Sequence, residues 1–408
     1  MTTNEQEGHN DERLNASPLL HSGTILVVGA GLGGVINAIF NLLFLRVTSP
    51  SLYSSVGPLL AIGTLCASAS VGIEYVAISL ITRANSYAPV VRQLFRLALP
   101  SVLALALTPL VSSYLHVSGL NAFLGILLGS LTLFAALPTA MLVARGMLVA
   151  SVTIAFIEAV VRCCSLVFAH EVDPVFLALV ASVGVTAVGG LIMALYAMRR
   201  SRGAIPRETA HHGGDSQLLK SLLAIGLYLP LTIPTWMARH FLSAEVAGVI
   251  AFAAFLGSGV MMFAGPVTSA LIPRTKAIGE KATIRSGAML TLAFALLAAI
   301  VVMVAGPLIF PSLVGAPLPG FREALIPLCV SGTLWAVAAY FSWVLSANGH
   351  SSLLFTLAAV FGIAAELMVS SFVHSQAAIT WSPLLALGVY AMAFVVIRFR
   401  KQKAIPIH

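Results

Sequence analysis

Twelve apolar runs, most of them 20 residues or longer, decide what this chain can become. They lie at 23–45, 54–81, 95–115, 119–144, 148–169, 174–197, 217–237, 245–272, 286–309, 324–347, 352–373 and 380–397. A helix needs roughly 20 such residues to cross the hydrocarbon core of a bilayer. Inside that core the backbone must satisfy its own hydrogen bonds, so each run is expected to be a helix. Of 408 residues only 9% are charged and 59% are hydrophobic. A soluble domain carries about 25% charged residues, so this chain lacks the means to cover a water-facing surface. The expected fold class is therefore an all-α integral membrane protein. Pro100, Pro109, Pro138, Pro230, Pro234 and Pro266 fall inside spans and predict kinked or broken helices.

The basic residues set the orientation. With the N-terminus in the cytoplasm, 18 of the 22 Lys and Arg residues fall on the inner side. Three fall outside (Arg46, Arg239 and Arg322), and Arg162 lies within a span. Such an asymmetry over short loops predicts a multi-pass protein of the cytoplasmic membrane with both termini inside. It also accounts for the net charge of +8 without a nucleic-acid partner. Residues 1–22 contain Glu5, Glu7, Asp11 and Glu12 and one arginine. A signal peptide has a basic start, so this stretch reads as a disordered acidic cytoplasmic tail. Residues 399–408 form a basic cytoplasmic tail.

An internal repeat is visible at an offset of 193 residues. Arg46 falls on Arg239, Gly72 on Gly265, Thr82 on Thr275, Arg83 on Lys276, Ala84 on Ala277 and Arg92 on Arg285. A second echo, Ala144-Arg-Gly146 against Ala347-Asn-Gly349, has an offset of 203. The polar stretch 200–216 reads as a cytoplasmic linker between an N-terminal lobe, 23–199, and a C-terminal lobe, 217–398. Each lobe holds six spans. Six is even, so both enter the membrane in the same direction, as a parallel repeat.

Some motifs carry no chemistry here. Gly29-Ala-Gly31-Leu-Gly-Gly34 matches a dinucleotide fingerprint, but the apolar run continues to Leu45 and the next acid is Glu74. It reads as small residues for close helix packing. The four cysteines, Cys66, Cys163, Cys164 and Cys329, lack metal-ligand spacing, and His211-His212 is a lone pair in a loop. No nucleophile, metal cluster or phosphate-binding loop is apparent. The expectation is a protein that is not an enzyme and has no cofactor and no metal.

The ionisable residues inside spans are the better signal, because a charge in hydrocarbon must be compensated. They are Glu74, Glu158, Arg162 and Glu366. Glu158 and Arg162 are spaced i,i+4 in the favourable order. They are either a self-neutralised structural pair or a cavity site where Arg162 meets an anion. Glu74 and Glu366 have no sequence neighbour to pair with. Each is either a proton or cation site or a hydrogen-bond partner for another helix. Arg46 and Arg239, at outer helix ends, either snorkel to headgroups or receive an anion there. Trp335 should be deep, and therefore packed or facing a cavity.

Three stretches bear a resemblance to a known family. They are Ile36-Asn-Ala-Ile-Phe-Asn-Leu-Leu-Phe-Leu-Arg46 with Ser49-Pro-Ser-Leu-Tyr53, Ala144-Arg-Gly146 through Glu158-Ala-Val-Val-Arg162, and Trp236-Met-Ala-Arg-His-Phe-Leu-Ser-Ala-Glu-Val-Ala-Gly248. In order and spacing the chain resembles the polysaccharide-biosynthesis branch of the multidrug/oligosaccharidyl-lipid/polysaccharide flippase superfamily. The resemblance implies a MATE-like fold of two lobes around a central cavity. It implies alternating access and a lipid-linked glycan substrate handled among membrane lipids, with a glycan polymerase or glycosyltransferases as further partners. The family often has an Asp where this chain has Pro234, which puts that residue's role in doubt here. Two alternatives stay open: a cation-coupled multidrug or metabolite exporter of the same fold, and a transport-inactive scaffold for glycan-synthesis enzymes.

Overall fold

The computed structural model describes residues 35–84, 88–145, 147–199, 217–262, 267, 280–315, 317–347 and 352–403. Among them there is no strand. Each of the twelve runs carries a helix. The first lobe holds α1 (Val35–Val47), α2 (Pro50–Ala84), α3a (Ala88–Ala106) with α3b (Thr108–Leu115), α4 (Gly119–Val143), α5 (Leu148–Ser165) and α6 (Pro174–Arg199). The second holds α7 (Gln217–Phe241), α8 (Ala244–Met261), α9 (Glu280–Val314), α10 (Phe321–Ala347), α11 (Ser352–Phe372) and α12 (Gln376–Lys403). Nine of these are long and apolar enough to cross a membrane, or ten when the bent pair α3a and α3b counts as one span. Only the end of the first run is described, and α12 carries Arg398, Arg400, Lys401 and Lys403 at its end.

Several helices outrun the apolar stretches that announce them, while α5 ends four residues short of its run. The run at 286–309 lies within a helix from Glu280 to Val314. Helix ends are set by caps and breakers instead of by hydropathy. Ser118 caps α4 by accepting from the Asn121 backbone N–H at 3.2 Å. Just before it, His116 turns left-handed at φ 50° and closes α3b. The third span breaks by 48° at Leu107. Pro109 sits in the first turn after the break, where its missing N–H costs nothing. Pro100, Pro138, Pro230 and Pro234 lie inside continuous helices. Pro266 lies outside the described residues, as do Gly29 to Gly34, residues 1–22, residues 404–408, the 200–216 linker and Asn348-Gly349, while the start of the C-terminal tail, 399–403, continues α12 as helix.

The two lobes repeat the same packing. α2 lies along α4 in the first lobe, and α8 lies along α10 in the second; α5 against α6 recurs as α11 against α12. The lobes meet where α2 packs on α7 and α8. Two glycines set that approach. Gly248 lies against the Pro50 carbonyl with no room for a Cβ, and Gly57 faces Ala251. Aromatic rings continue the seam, with Phe44, Tyr53, Phe252 and Phe321 stepping at centroid distances of 6.0, 6.0 and 5.7 Å. The rest of the surface is inverted relative to a soluble protein. α5 and α9 expose Phe156, Val161, Leu297 and Leu308, as helices facing lipid do.

Candidate functional site

A cavity of about 400 Å³ lies between the lobes, on one side of the glycine seam. Helical periodicity builds its walls. On α2 the stripe Gly57, Leu60, Thr64, Ala67, Ser70 and Glu74 faces inward, and on α5 the stripe is Ser151, Ala155, Glu158 and Arg162. The second lobe contributes Thr232 and Thr235 from α7 and Ser258 from α8. Several lining hydroxyls donate back to their own helix. Thr64 reaches Leu60 O at 3.3 Å, Thr132 reaches Leu128 O at 2.8 Å, Thr139 reaches Ala135 O at 2.9 Å and Thr232 reaches Tyr228 O at 3.2 Å. Each is satisfied when the cavity is empty and keeps oxygen lone pairs for a ligand.

The charges on this wall belong to the first lobe. Glu74, Glu158 and Arg162 all line the cavity. Glu158 and Arg162 share a face of α5, yet among the described residues they form no contact ion pair. The Glu158 carboxyl packs against Gly189 of α6, and its buried Oε1 has no hydrogen-bond partner. The Arg162 guanidinium lies over the Phe40 ring of α1 at 5.9 Å from its centroid, and its Nε is likewise buried and unpartnered. A buried polar atom left without a partner costs about 1–3 kcal/mol. Two such atoms on residues lining one cavity make an arrangement that a ligand with matching groups would relieve. Next to them on α1, Asn41 accepts from the Tyr53 hydroxyl at 2.6 Å and donates to Asn37 O at 2.7 Å.

The other residues singled out in the sequence lie elsewhere. Glu366 is fully buried between α11 and α12, where Oε1 accepts from the Ser382 hydroxyl at 3.0 Å and Oε2 has no partner. Trp335 is packed beside it, donating from Nε1 to Pro383 O at 3.0 Å against the Tyr390 ring. Neither lines the cavity. Arg46 and Arg239 stand apart from it as well, at the closed end of the seam. Arg239 reaches from the second lobe into the first, donating to Leu115 O at 2.9 Å, His116 O at 3.0 Å and Ser54 Oγ at 2.8 Å. Arg46 reaches the other way, to Leu313 O at 3.4 Å. His240 stacks on Tyr114 at 4.3 Å, and Trp236 donates to Pro58 O at 3.0 Å. The cavity is thus shut at the end where α2 begins.

Sequence reasoning found the charged lining and missed the neutral one. Asn37, Asn41, Thr232, Thr235 and Ser258 carry no signal in a sequence until the helix face that looks inward is known. Their recurrence at three- and four-residue spacing within apolar spans is the trace that would have pointed to them.

No family model matches the chain, and no curated protein matches it in sequence. Solved structures do share its fold. The inward-facing conformation of a multidrug resistance MATE family transporter of the MOP superfamily aligns at TM-score 0.65 and 14% identity, covering 91% of this chain and 96% of that one. The lipid II flippase MurJ in an inward closed conformation aligns at TM-score 0.66 and 8% identity, covering 91% and 87%. A MOP superfamily transporter from Pyrococcus furiosus, described as having a binding pocket of reverse polarity, aligns at TM-score 0.61 and 14% identity, covering 94% and 95%. At these identities the likeness is one of fold. The chain is an all-α integral membrane protein with the MATE-like architecture of two six-helix lobes around a central cavity.

Proposed function

We propose that this chain is a transporter that flips a lipid-linked oligosaccharide or polysaccharide precursor across the cytoplasmic membrane by alternating access. Arg162 carries the reading. An arginine within a span costs roughly 2.5–3.5 kcal/mol on insertion scales, so its place in a cavity wall calls for a compensating ligand. Its planar fork of five donors suits a phosphate, which a lipid-linked sugar carries and a typical cationic drug does not. The surrounding asparagine and threonine side chains supply the mixed donors and acceptors that sugar hydroxyls use. The likeness to a protein named as a lipid II flippase supports the same class.

The test is to measure lipid-linked sugars in each leaflet of cells with and without the protein. Loss of the outer-leaflet pool on depletion, with restoration by the intact chain, is the expected result. An unchanged distribution would remove the flippase reading. A second reading, a cation-coupled exporter, is favoured by one observation: Glu74 and Glu158 line the same cavity. It requires export of a soluble compound that stops when the cation gradient is collapsed.

A further inference from the structure

Two residues outside the Glu158–Arg162 pair, Gly189 and Phe40, contact its head groups. At i,i+4 on a helix a glutamate and an arginine are within reach of each other. Here each head group packs against a different neighbouring helix. The Glu158 carboxyl occupies space on α6 that exists because residue 189 is glycine; a Cβ there would overlap the carboxylate. Arg162 is drawn towards α1, where Phe40, only 1% exposed, offers its face. Both head groups line the main cavity, and both also line a smaller recess of about 250 Å³ that includes Phe40 and Asn37.

We propose that Gly189 and Phe40 are positioning residues that keep the pair split, so that the cavity binds a glycosyl phosphate across it. The guanidinium takes the phosphate. The carboxylate accepts from a hydroxyl or amide N–H on the sugar carbon next to the phosphate-bearing one. Glu158 and Arg162 are four residues apart, about 6 Å along the helix axis, on the scale of the separation between a phosphate and a donor on the adjoining ring carbon. A closed pair would neutralise both groups and offer the ligand neither. This inference rests on the flippase reading above and adds to it what sets the pair's geometry and which part of the substrate the pair grips.

The experiment uses the full chain in lipid nanodiscs and soluble probes: hexose 1-phosphates, N-acetylhexosamine 1-phosphates, inorganic phosphate and the unphosphorylated sugars. Binding is measured by calorimetry. The intact chain should prefer a glycosyl phosphate over inorganic phosphate and over the free sugar by about tenfold each, the scale of one hydrogen bond to a charged group. Gly189→Ala should push the carboxylate onto Arg162 and reduce glycosyl phosphate binding by about tenfold. The new methyl meets a flexible side chain and not backbone, so the variant has room to fold. Adding Glu158→Ala to it should restore phosphate binding but leave no preference for the glycosyl form. Phe40→Leu should weaken binding and Phe40→Tyr should preserve it, which a mere packing role for the ring would not separate by ligand. Wild-type affinity in Gly189→Ala and Phe40→Leu would overturn the positioning role while leaving the flippase reading intact. An intact chain that binds no glycosyl phosphate in preference to inorganic phosphate would overturn this inference. Whether the flippase reading then also falls is decided by the leaflet measurement, which uses the whole lipid-linked substrate.

Discussion

Arg162 was legible from the sequence because it is the basic residue deep inside an apolar span, whereas Arg96 and Lys220 fall in the first turn of theirs. What holds it was not. Phe40 looks like any aromatic residue of a buried stripe, and Gly189 like one of many small residues that let helices approach. Their roles appear only once α1 and α6 are packed on α5, which no local pattern encodes. The same holds for Glu366. The sequence left it between an ion site and a partner for another helix, and its hydrogen bond to Ser382 places a neighbouring helix against it. At Arg162 the chemistry yields a direct prediction. Arg162→Lys keeps the charge but loses the fork, so transport should fall at least tenfold while membrane insertion and yield stay normal. Glu158→Gln with Arg162→Gln removes both charges together and leaves nothing uncompensated. If that double variant folds and still flips lipid-linked sugar at the native rate, the pair is structural and the site is misassigned.

Between elements, the repeat becomes physical. The 193-residue offset equates Arg46 with Arg239, and the structure gives the two crossed roles at one end of the lobe seam. Arg46 leaves the end of α1 for a carbonyl at the end of α9; Arg239 leaves the end of α7 for carbonyls just at and after the end of α3b. These contacts were not readable beforehand, since both arginines were expected at headgroups or on an anion. A backbone acceptor in the opposite lobe has no signature in sequence. If the lobes alternate, this end must part, and the crossed arginines and the α2–α8 glycine contact must break with it. Cysteines at Gly57 and Ala251 would then lock it, because a Cβ at residue 57 would lie 3.0 Å from that of Ala251, so that slight relaxation reaches the range a disulfide needs. Oxidation of the Gly57→Cys, Ala251→Cys variant should stop transport, and reductant should restore it. Full activity in the cross-linked protein would mean that the seam does not open during the cycle.

At the scale of the whole molecule, the apolar runs announced twelve helices and the basic residues announced how they lie, but in different ways. Helix number follows from hydropathy, and each run has its helix here. Orientation follows from where Lys and Arg stop, a signal carried partly by segments outside the described residues, among them the 200–216 linker and the patch from Arg274 to Lys276. The expectation from the 18-to-3 distribution is that both tails and that linker are cytoplasmic and the α7–α8 and α9–α10 turns are outside. The closed end of the seam lies beside those turns, so under that orientation and the proposed transport role the cavity would be closed to the outside, on the loading side of the cycle. A membrane-impermeant thiol reagent checks this in intact cells. Ser243→Cys and Pro317→Cys, both at exposed positions, should be labelled from outside, and Thr209→Cys should react only after the membrane is permeabilised. Cys164, the exposed native thiol, lies in an apolar span facing lipid and should stay silent; replacing it removes any background. Labelling of Thr209→Cys in intact cells together with silence at Ser243 would invert the topology. It would turn the closed end towards the cytoplasm, and with it the direction in which a phosphate held at Arg162 would have to travel.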